Sequence, residues 1–438
     1  MAEQQYVIGI DVGGTNIKAG AVDYQGRILS SMRVLSEAKS GGSEGILNKL
    51  QGIVTELISQ QKGQLPMGIG LGIPGAINSR EGVVTQAPNF PGLNGLPLRN
   101  LMHQKLKIPC FMDNDANCIA FGEMWVGAGR DYSHILLLAL GTGIGGGVII
   151  DNEMLRGADG MAGELGHIGV EINGAKCNCG SFGCLETIAS ATGILRMFRE
   201  QITDHPESTL NTVNSAITPA VIFEQATKGD QLSRSLIEQA GHGLGVGMAS
   251  FINIFNPEIV IIGGGVAAAW DILIPPAIET MKKRAFKAPA ERVKVVRAEK
   301  ENEAGIFGTA YLAWDELKRG NQNREKLDRR LAPWGFWEVI EEADDYKVKR
   351  LYVHPGHRLS YQKHEQREET WMISSGQAAV TLDGKEMILK AGDTLHIAKT
   401  QAHRVANPTD QPLVFFEVQR GSYFGEDDII RLQDDYKR

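Results

Sequence analysis

Short apolar segments that end in glycine-rich or polar turns recur along the first part of the chain. The clearest are Tyr6–Asp11, Met67–Ile73, His134–Leu140 and Glu258–Ile262. Apolar runs of this length, bounded by turn residues, predict buried β-strands. After the first and third of these segments, a glycine-rich turn leads directly into a further strand. This repeated pattern predicts an internally duplicated α/β fold with two lobes.

Two further segments complete the predicted elements of this region. Pro109–Asp113 predicts a strand, and Asn117–Trp125 predicts a helix that Asn114 or Asp115 would cap. Gly305–Lys318 predicts a helix that closes this part of the chain.

The pattern changes after this closing helix. Residues 319–332 are polar, charged and poor in apolar side chains, which predicts a linker. Beyond Pro333, short alternating strands follow at regular spacing, as in a small β-barrel. We therefore expect two domains, residues 1–318 and 333–438, joined by the linker 319–332.

Composition supports this organisation. A length of 438 residues predicts two or three domains, and 42% hydrophobic with 22% charged residues is typical of a soluble globular protein. The net charge of −7 argues against general nucleic-acid binding, which requires a basic surface. The amino-terminal residues show no signal-peptide pattern, and glycines or Asn256-Pro257-Glu258 interrupt the most apolar segments. We expect a cytoplasmic protein without a membrane span.

Three glycine-rich turns, each after a predicted strand, offer backbone amides that can bind phosphate groups. Their residues are Gly13, Gly14, Thr15, Gly141, Thr142, Gly143, Gly263, Gly264 and Gly265. Asp11, at the end of the first strand, is a candidate to hold Mg²⁺ through water. Lys18 would add positive charge there, or it faces solvent. The alternative is that these glycines only close tight hairpins, and three such turns together favour phosphate binding.

Asn114 and Asp115 lie where a predicted strand meets a predicted helix. A carboxylate at this point could accept the proton of an attacking hydroxyl, as the base of a kinase does. The alternative role of Asp115 is that of a helix cap.

Three of the five cysteines fall within Cys177–Cys184, which indicates a metal site rather than disulfides in a chain without a secretion signal. Three thiolates and one imidazole would complete a tetrahedral, structural zinc site. The candidate ligands are His167, Cys177, Cys179 and Cys184. This zinc would fix the loop that carries Glu164 and Glu186, so that both carboxylates can bind sugar hydroxyls. The alternative is a set of reduced, buried cysteines.

Residues 5–318 resemble the sugar-kinase branch of the ROK family, which comprises repressors, open reading frames and sugar kinases. The matching motifs are Asp11-Val-Gly-Gly-Thr15, Gly72-Ile-Pro-Gly75, Pro88-Asn89, Asn114-Asp115, Leu140-Gly-Thr-Gly143, Glu164-Leu-Gly-His167, Cys177-x-Cys-Gly-x-x-Gly-Cys-x-Glu186 and Gly263-Gly-Gly265. The repressor branch carries an amino-terminal helix-turn-helix, for which the early first turn leaves no room, so we expect a kinase.

The resemblance implies a fold and a set of roles. It implies an actin-like, ribonuclease-H-type fold with ATP in the cleft between two lobes, and a homodimer. Asp115 would be the base that activates the 6-hydroxyl of a hexose. The residues implied to bind sugar are Asn89, Asn114, Asp115, Glu164, His167 and Glu186.

Half of the ten histidines fall between His354 and His403. A candidate set of nitrogen and oxygen donors suits Zn²⁺ or another divalent transition metal. Its members are Gln362, His364, Glu369 and His403. Gln362 and His364 are two residues apart and so share one face of a strand. We interpret the other three histidines, His354, His357 and His396, as ordinary turn and strand residues.

Residues 333–438 resemble the cupin domain of type II mannose-6-phosphate isomerases. The matching motifs are Pro333-Trp-Gly335, Tyr346-Lys-Val-Lys349, Pro355-Gly356, Leu359-Ser-Tyr-Gln362-x-His364-x-x-Arg367-x-Glu369-x-Trp371, His403-Arg404-x-x-Asn407, Glu417-Val-Gln419, Gly425-Glu-Asp-Asp-Ile-Ile-Arg431 and Asp435-Tyr436-x-Arg438. Three residues depart from the family pattern. Ala398 and Thr400 replace a usual proline and glycine before His403, and Thr370 replaces a common histidine.

The chemistry implied by this second resemblance interconverts an aldose and a ketose phosphate. A metal orients the substrate oxygens while a base moves a proton between C1 and C2. Lys349, Arg404 and Glu417 are candidates for the base or for a partner of the oxyanion, and Arg431 for phosphate binding or an ion pair. The sequence thus predicts a bifunctional enzyme that phosphorylates mannose or glucose and isomerises mannose 6-phosphate. The alternatives are a kinase with a sugar-phosphate-sensing cupin and a non-enzymatic regulator.

Overall fold

The computed structural model describes residues 5–36, 42–87, 90–300, 302–326, 329–343 and 345–436. The chain forms two compact units, residues 1–318 and 319–438. No helix in these described ranges is both long and apolar enough to cross a membrane.

The first lobe of the first unit is built on a five-stranded sheet of order β3-β2-β1-β4-β7, with β5 and β6 as a separate pair. The strands are β1 (Tyr6–Val12), β2 (Asn16–Asp23), β3 (Ile28–Leu35), β4 (Ile69–Ile73), β5 (Ala76–Asn78), β6 (Val83–Gln86) and β7 (Cys110–Asn114).

The second lobe repeats this arrangement in a sheet of order β10-β9-β8-β11-β12. Its strands are β8 (Ile135–Leu140), β9 (Ile144–Ile150), β10 (Glu153–Met154), β11 (Ile259–Gly263) and β12 (Lys294–Arg297). In each sheet the first hairpin is antiparallel and the next two strands are added in parallel. The predicted duplication is therefore confirmed.

Ten α-helices are described. They are α1 (Gly42–Gln60), α2 (Leu98–Leu106), α3 (Asp115–Val126), α4 (Glu186–Ala189), α5 (Ala191–Gln201), α6 (Pro219–Thr227), α7 (Gln231–Phe255), α8 (Trp270–Arg284), α9 (Lys287–Arg292) and α10 (Ala304–Lys326). Every residue of β4 and β11 is buried, as expected for parallel strands covered by helices on both faces.

The long helix α7 packs unusually close to α8. A Cβ atom added at Gly241 would lie 2.3 Å from the carbonyl oxygen of Leu273, and one at Gly245 would lie 2.4 Å from that of Ala277. Only glycine allows this approach, because any side chain would push the two helices apart.

The segment predicted as a linker, residues 319–332, contains regular structure. Helix α10 continues past the predicted end at Lys318 to Lys326, and strand β13 begins at Arg329. The polar composition was misleading here because Arg, Lys, Glu and Gln are good helix formers.

The second unit consists of strands in two sheets, of order β13-β14-β15-β22-β17-β20 and β19-β18-β21-β16-β23. The strands are β13 (Arg329–Ala332), β14 (Gly335–Glu342), β15 (Tyr346–Val353), β16 (Tyr361–His364), β17 (Arg367–Ser375), β18 (Gln377–Leu382), β19 (Lys385–Lys390), β20 (Thr394–Ile397), β21 (His403–Ala406), β22 (Leu413–Gly421) and β23 (Ile429–Gln433). Trp371, Phe415, Val380 and Val405 share one apolar core. The described strands form two sheets and no single closed barrel, consistent with a cupin.

Candidate active sites

Asp115 is the first residue of α3, directly after strand β7. Asn114 is the helix cap, because its side-chain oxygen accepts hydrogen bonds from the backbone N–H groups of Ala116 (2.8 Å) and Asn117 (3.2 Å). Burial raises the pKa of Asp115 to about 7, and the negative charges of Asp11 and Glu164 add to the shift. Asn114, and not Asp115, is therefore the residue that caps α3.

Asp11 is the one residue of β1 that is not fully buried, and it lies against helix α10. A Cβ atom at Gly305 of that helix would be 2.4 Å from the Asp11 carboxyl carbon, so glycine is required for this contact. Burial raises the pKa of Asp11 to about 6, and the positive charge of Lys18 opposes the shift. The Lys18 ammonium donates to the backbone oxygen of Asn302 at 3.0 Å.

In each of the first two glycine-rich turns, the backbone amide of the first glycine is satisfied locally, over spans that differ by one residue. The N–H of Gly13 donates to the Asn16 oxygen at 2.9 Å, and the N–H of Gly141 donates to the Gly143 oxygen at 2.9 Å. Each turn therefore uses the amide of its first glycine internally. In the third turn, Gly264 has a φ of +89°, and a Cβ there would lie 2.5 Å from the Leu140 oxygen. The third turn thus lies against the start of the second.

A buried polar network beneath Asp115 was missed by sequence reasoning. Asp113 is fully buried and accepts hydrogen bonds from the Asn114 N–H (2.8 Å) and the Asn117 side chain (2.9 Å). Its second oxygen pairs with Arg156 Nε at 2.8 Å. Asp113 directly precedes the Asn114-Asp115 motif and could have been considered, whereas Arg156 lies far along the sequence in a loop without any pattern.

The predicted zinc ligands lie together. The ligand atoms of His167, Cys177, Cys179 and Cys184 are all within 4.8 Å of one another. Cys177 Sγ is 3.6 Å from His167 Nδ1, and Cys179 Sγ is 3.7 Å from Cys184 Sγ. A tetrahedral site with Zn–S bonds of about 2.3 Å has ligand–ligand edges of about 3.8 Å, so this donor set fits Zn²⁺.

The two predicted sugar-binding carboxylates flank this cluster. Glu164 immediately precedes the short 3₁₀ helix Leu165–His167. The backbone N–H of His167 donates to the backbone oxygen of Glu164 at 3.1 Å. Burial raises the pKa of Glu164, with His167 lowering it and Glu186 raising it. Glu186 accepts the Ile144 N–H at 3.0 Å, while its other oxygen is 3.6 Å from Cys177 Sγ. Glu186 therefore joins the cysteine loop to the second glycine-rich turn. Asn89 lies outside the described residues.

The second unit places three of its four predicted metal ligands together. His364 Nε2 is 3.1 Å from one oxygen of Glu369, and His403 Nε2 is 3.5 Å from the other. These distances between ligand atoms match those of a metal site with metal–ligand bonds of about 2.1 Å. The Nε2 atoms of both histidines are buried without a hydrogen-bond partner, which a cation would satisfy. Gln362 pairs with His403 across adjacent strands, so it lies beside this cluster.

Neighbouring groups hold these ligands in place. His403 Nδ1 is 3.0 Å from the Gln401 backbone oxygen, an arrangement that directs Nε2 toward the cluster. Burial lowers the pKa of His403, which favours the neutral imidazole that metals bind. The Trp371 indole N–H lies 3.1 Å from both Glu369 and Glu417, and Gln419 donates to the same two carboxylates.

A cavity opens beside this cluster, and three of the four isomerase candidates line it. Lys349, Glu417 and Arg431 line it, together with Gln362 and Glu369. Arg404 does not line it. Its guanidinium lies 5.5 Å from the Tyr361 ring and lines a different groove. The physical reason is strand alternation, because Arg404 follows His403 directly and faces the opposite side of β21. Arg404 therefore lies apart from the other three isomerase candidates.

Two of the three departures from the cupin pattern, Ala398 and Thr400, fall in one loop beside the cluster, whereas Thr370 lies within strand β17. Thr400 has a φ of +69°, a left-handed conformation that glycine adopts easily and a β-branched residue does not. Its N–H donates to the His364 oxygen at 2.7 Å, and the Ala398 N–H donates to the Gln401 side chain at 2.8 Å. The loop keeps the left-handed geometry although threonine occupies the position.

The fold and the sites define a two-domain protein with a two-lobed, sugar-kinase-type unit and a β-sheet unit. Residues 7–316 match the ROK family, and residues 319–434 match the mannose-6-phosphate isomerase C-terminal family. The chain belongs to the ROK family and carries a mannose-6-phosphate isomerase C-terminal domain.

Individual relatives agree with this assignment. A glucokinase of Halalkalibacterium halodurans is 37% identical over 330 residues, covering 74% of this chain and 99% of that protein. A xylose repressor of Caldicellulosiruptor bescii is 33% identical over 307 residues, covering 69% and 76%. The structure of a ROK glucokinase from Streptomyces griseus in complex with glucose and AMPPNP aligns with a TM-score of 0.61 and 32% identity, covering 71% of this chain and 99% of that one.

Proposed function

We propose that this protein phosphorylates a hexose, mannose or glucose, at O6 with ATP, and isomerises mannose 6-phosphate to fructose 6-phosphate. The observation that carries the first activity is the raised pKa of Asp115 at the start of α3. The glucokinase relatives and the glucose–AMPPNP complex of the Streptomyces griseus enzyme support the same class of reaction.

In the phosphorylation step, the Asp115 carboxylate would accept the proton of the sugar 6-hydroxyl as its oxygen attacks the terminal phosphorus. Glu164, Glu186, His167 and Asn114 would hold the sugar, with Asn89 as the remaining predicted contact. Asp11 would hold Mg²⁺ through water. Since the Gly13 and Gly141 amides donate within their own turns, phosphate binding there would rest mainly on the amides of Gly14, Thr15, Thr142 and Gly143.

The cysteine cluster would bind a structural Zn²⁺ through His167 and the three thiolates. Its role would be to hold Glu186, which contacts both Cys177 and the Ile144 amide. Such a site leaves no open coordination position and so takes no direct part in catalysis.

For the isomerase, His364, Glu369 and His403, with Gln362 beside them, would hold a divalent metal, most simply Zn²⁺, which would polarise the substrate oxygens. Glu417 is the best-placed candidate for the base that moves a proton between C1 and C2, because it lines the cavity next to Glu369. Lys349, 5% exposed in the same wall, would stabilise the developing oxyanion, and Arg431 would bind the phosphate.

The deciding experiment supplies mannose and ATP to the full chain and measures fructose 6-phosphate. Its formation supports both activities. Accumulation of mannose 6-phosphate without conversion would eliminate the isomerase, and absence of any phosphorylated hexose would eliminate the kinase. A panel of hexoses in the same assay would identify the preferred sugar.

A kinase whose cupin only senses sugar phosphates is the second candidate, and the left-handed Thr400 beside the metal cluster favours it. Under that proposal the second unit binds mannose 6-phosphate without turnover. Isothermal titration with mannose 6-phosphate, combined with an isomerase assay on the same preparation, separates the two candidates. A purely regulatory protein, as among the repressor relatives, would show no hexose-dependent ATP consumption.

A further inference from the structure

A cavity in the first unit borders the Asp113–Arg156 pair, and none of the predicted sugar-binding or ATP-binding residues is among its described lining residues. It has a volume of about 500 Å³, and three arginines line it: Arg80, Arg99 and Arg156. Glu316 is the one acidic side chain among its described lining residues. Such an excess of guanidinium groups in a concave site attracts anions.

The arginines come from both lobes. Arg80 follows β5 and Arg99 lies on α2, both in the first lobe, whereas Arg156 follows β10 at the edge of the second sheet. The Arg80 guanidinium also donates to the Gly157 backbone oxygen at 3.4 Å. A ligand in this cavity would therefore touch both lobes at once.

Arg80 and Arg99 have no carboxylate partner among the described residues, and Arg156 has one. Arg99 donates to the backbone oxygens of Ser79 (3.1 Å) and Arg80 (3.0 Å), which fix its position without neutralising it. Arg156 pairs with Asp113 through Nε alone, and its guanidinium lies 5.6 Å from the Phe121 ring. Preformed guanidinium groups of this kind match the oxygens of a phosphate.

We propose that this cavity binds a phosphorylated small molecule and that its occupancy acts on the kinase site. The connection runs through Arg156 to Asp113, which hydrogen-bonds the Asn114 N–H and the Asn117 side chain at the start of α3. The same turn carries Asp115. A phosphate that competes for Arg156 thus changes the support of Asp115, and a ligand that bridges the lobes restrains their relative movement.

Arginine modification by phenylglyoxal, followed by peptide mapping of the full chain, tests this site residue by residue. Inorganic phosphate and mannose 6-phosphate are the two probes, and mannose alone is the control for lobe movement. We expect the probes to slow modification of Arg80 and Arg99 about tenfold, as a charge-assisted contact of ordinary strength would. Arg33, an exposed arginine of the first lobe, should react unchanged.

The pattern of protection by the two probes distinguishes a site for inorganic phosphate from a site for a sugar phosphate. Protection by inorganic phosphate supports an oxyanion site, and protection by mannose 6-phosphate alone supports a sugar-phosphate site. Absence of protection by both probes, or equal protection by mannose alone, overturns the proposal.

A charge-reversed variant gives an independent check. Arg80→Glu should abolish the protection of Arg99 by the effective probe, and the matched variant Arg33→Glu should preserve it. If Arg99 remains fully protected in Arg80→Glu, the cavity is not the binding site.

Discussion

Asp115 has its pKa raised to about 7 because burial and the charge of Asp11 disfavour its ionised form. As a base it must be deprotonated, so kcat/KM for hexose phosphorylation should rise with pH through about 7 and fall below it. Asp115→Asn should lower kcat by about 10²- to 10⁴-fold, with little change in hexose binding. Steady-state kinetics across pH 5–9 measure both effects, and near-normal turnover of the variant would disprove the assignment.

The raised pKa of Asp115 also predicts that the protein becomes less stable as pH rises, although phosphorylation becomes faster. Unfolded aspartate ionises near pH 4, whereas the folded residue keeps its proton to about pH 7. Between these values the folded state binds more protons, so this residue lowers the free energy of unfolding as pH rises. Asp115→Asn should therefore raise Tm more at pH 8 than at pH 4, measured by thermal denaturation without ligands. An equal change in Tm at both pH values would contradict the raised pKa.

Thr400 has a φ of +69°, which costs a β-branched residue roughly 1–3 kcal/mol. Thr400→Gly should raise the free energy of unfolding of the second unit by about 1 kcal/mol. Thr394→Gly, in the regular strand β20, serves as the matched control and should lower it. Denaturant unfolding followed by tryptophan fluorescence compares the two. A destabilised Thr400→Gly protein would show that the loop carries no strain.

At the scale of single elements, the cysteine loop and the second glycine-rich turn are linked through Glu186. Cys184→Ser should reduce bound zinc and raise the KM for hexose about tenfold or more, since the zinc site would fix Cys177, which contacts the Glu186 carboxylate. Cys110→Ser replaces a buried thiol elsewhere and should retain zinc and KM. Metal analysis and kinetics on the same samples check this. A Cys184→Ser protein with unchanged KM would disconnect the cluster from the sugar site.

Strand β21 contributes His403 to the candidate metal site, and β20 contributes the exposed His396, which lies near Glu368 and Thr370. His403→Ala should lower isomerase activity at least about 100-fold and leave hexose phosphorylation unchanged. His396→Ala should retain both activities. Loss of isomerisation in both variants would indicate general damage to the second unit instead of a specific ligand.

Sequence patterns predicted the fold correctly where an element is long or strongly apolar. The duplicated hairpins were predictable because buried parallel strands are continuous apolar runs, as in Ile259–Gly263. The grouping of the candidate metal ligands was predictable from donor type and spacing, as in Cys177–Cys184. The Asp113–Arg156 pair was not, because it joins distant segments that no local pattern relates. The helix over residues 319–326 was not predicted, because polar composition alone does not distinguish a helix from a linker.

At the scale of the whole molecule, the two proposed activities would be independent if the product diffuses freely between sites. A mixture of Asp115→Asn and His403→Ala proteins should then convert mannose to fructose 6-phosphate, although neither converts it alone. The mixture should show a lag that shortens as enzyme concentration rises. A coupled fructose 6-phosphate assay measures this. Failure of the mixture, with each remaining activity intact, would indicate that product must pass within one chain.

The close contact of α7 with α8 has a consequence for how the first unit assembles. Each glycine costs a helix about 1 kcal/mol relative to alanine, and Gly241, Gly243, Gly245 and Gly247 lie together in the middle of α7. The isolated segment 231–255 should therefore be mostly disordered in water and gain helicity only when α8 is present. The second lobe would then form these two helices together, in one cooperative step, after its strands have provided the surface on which they pack.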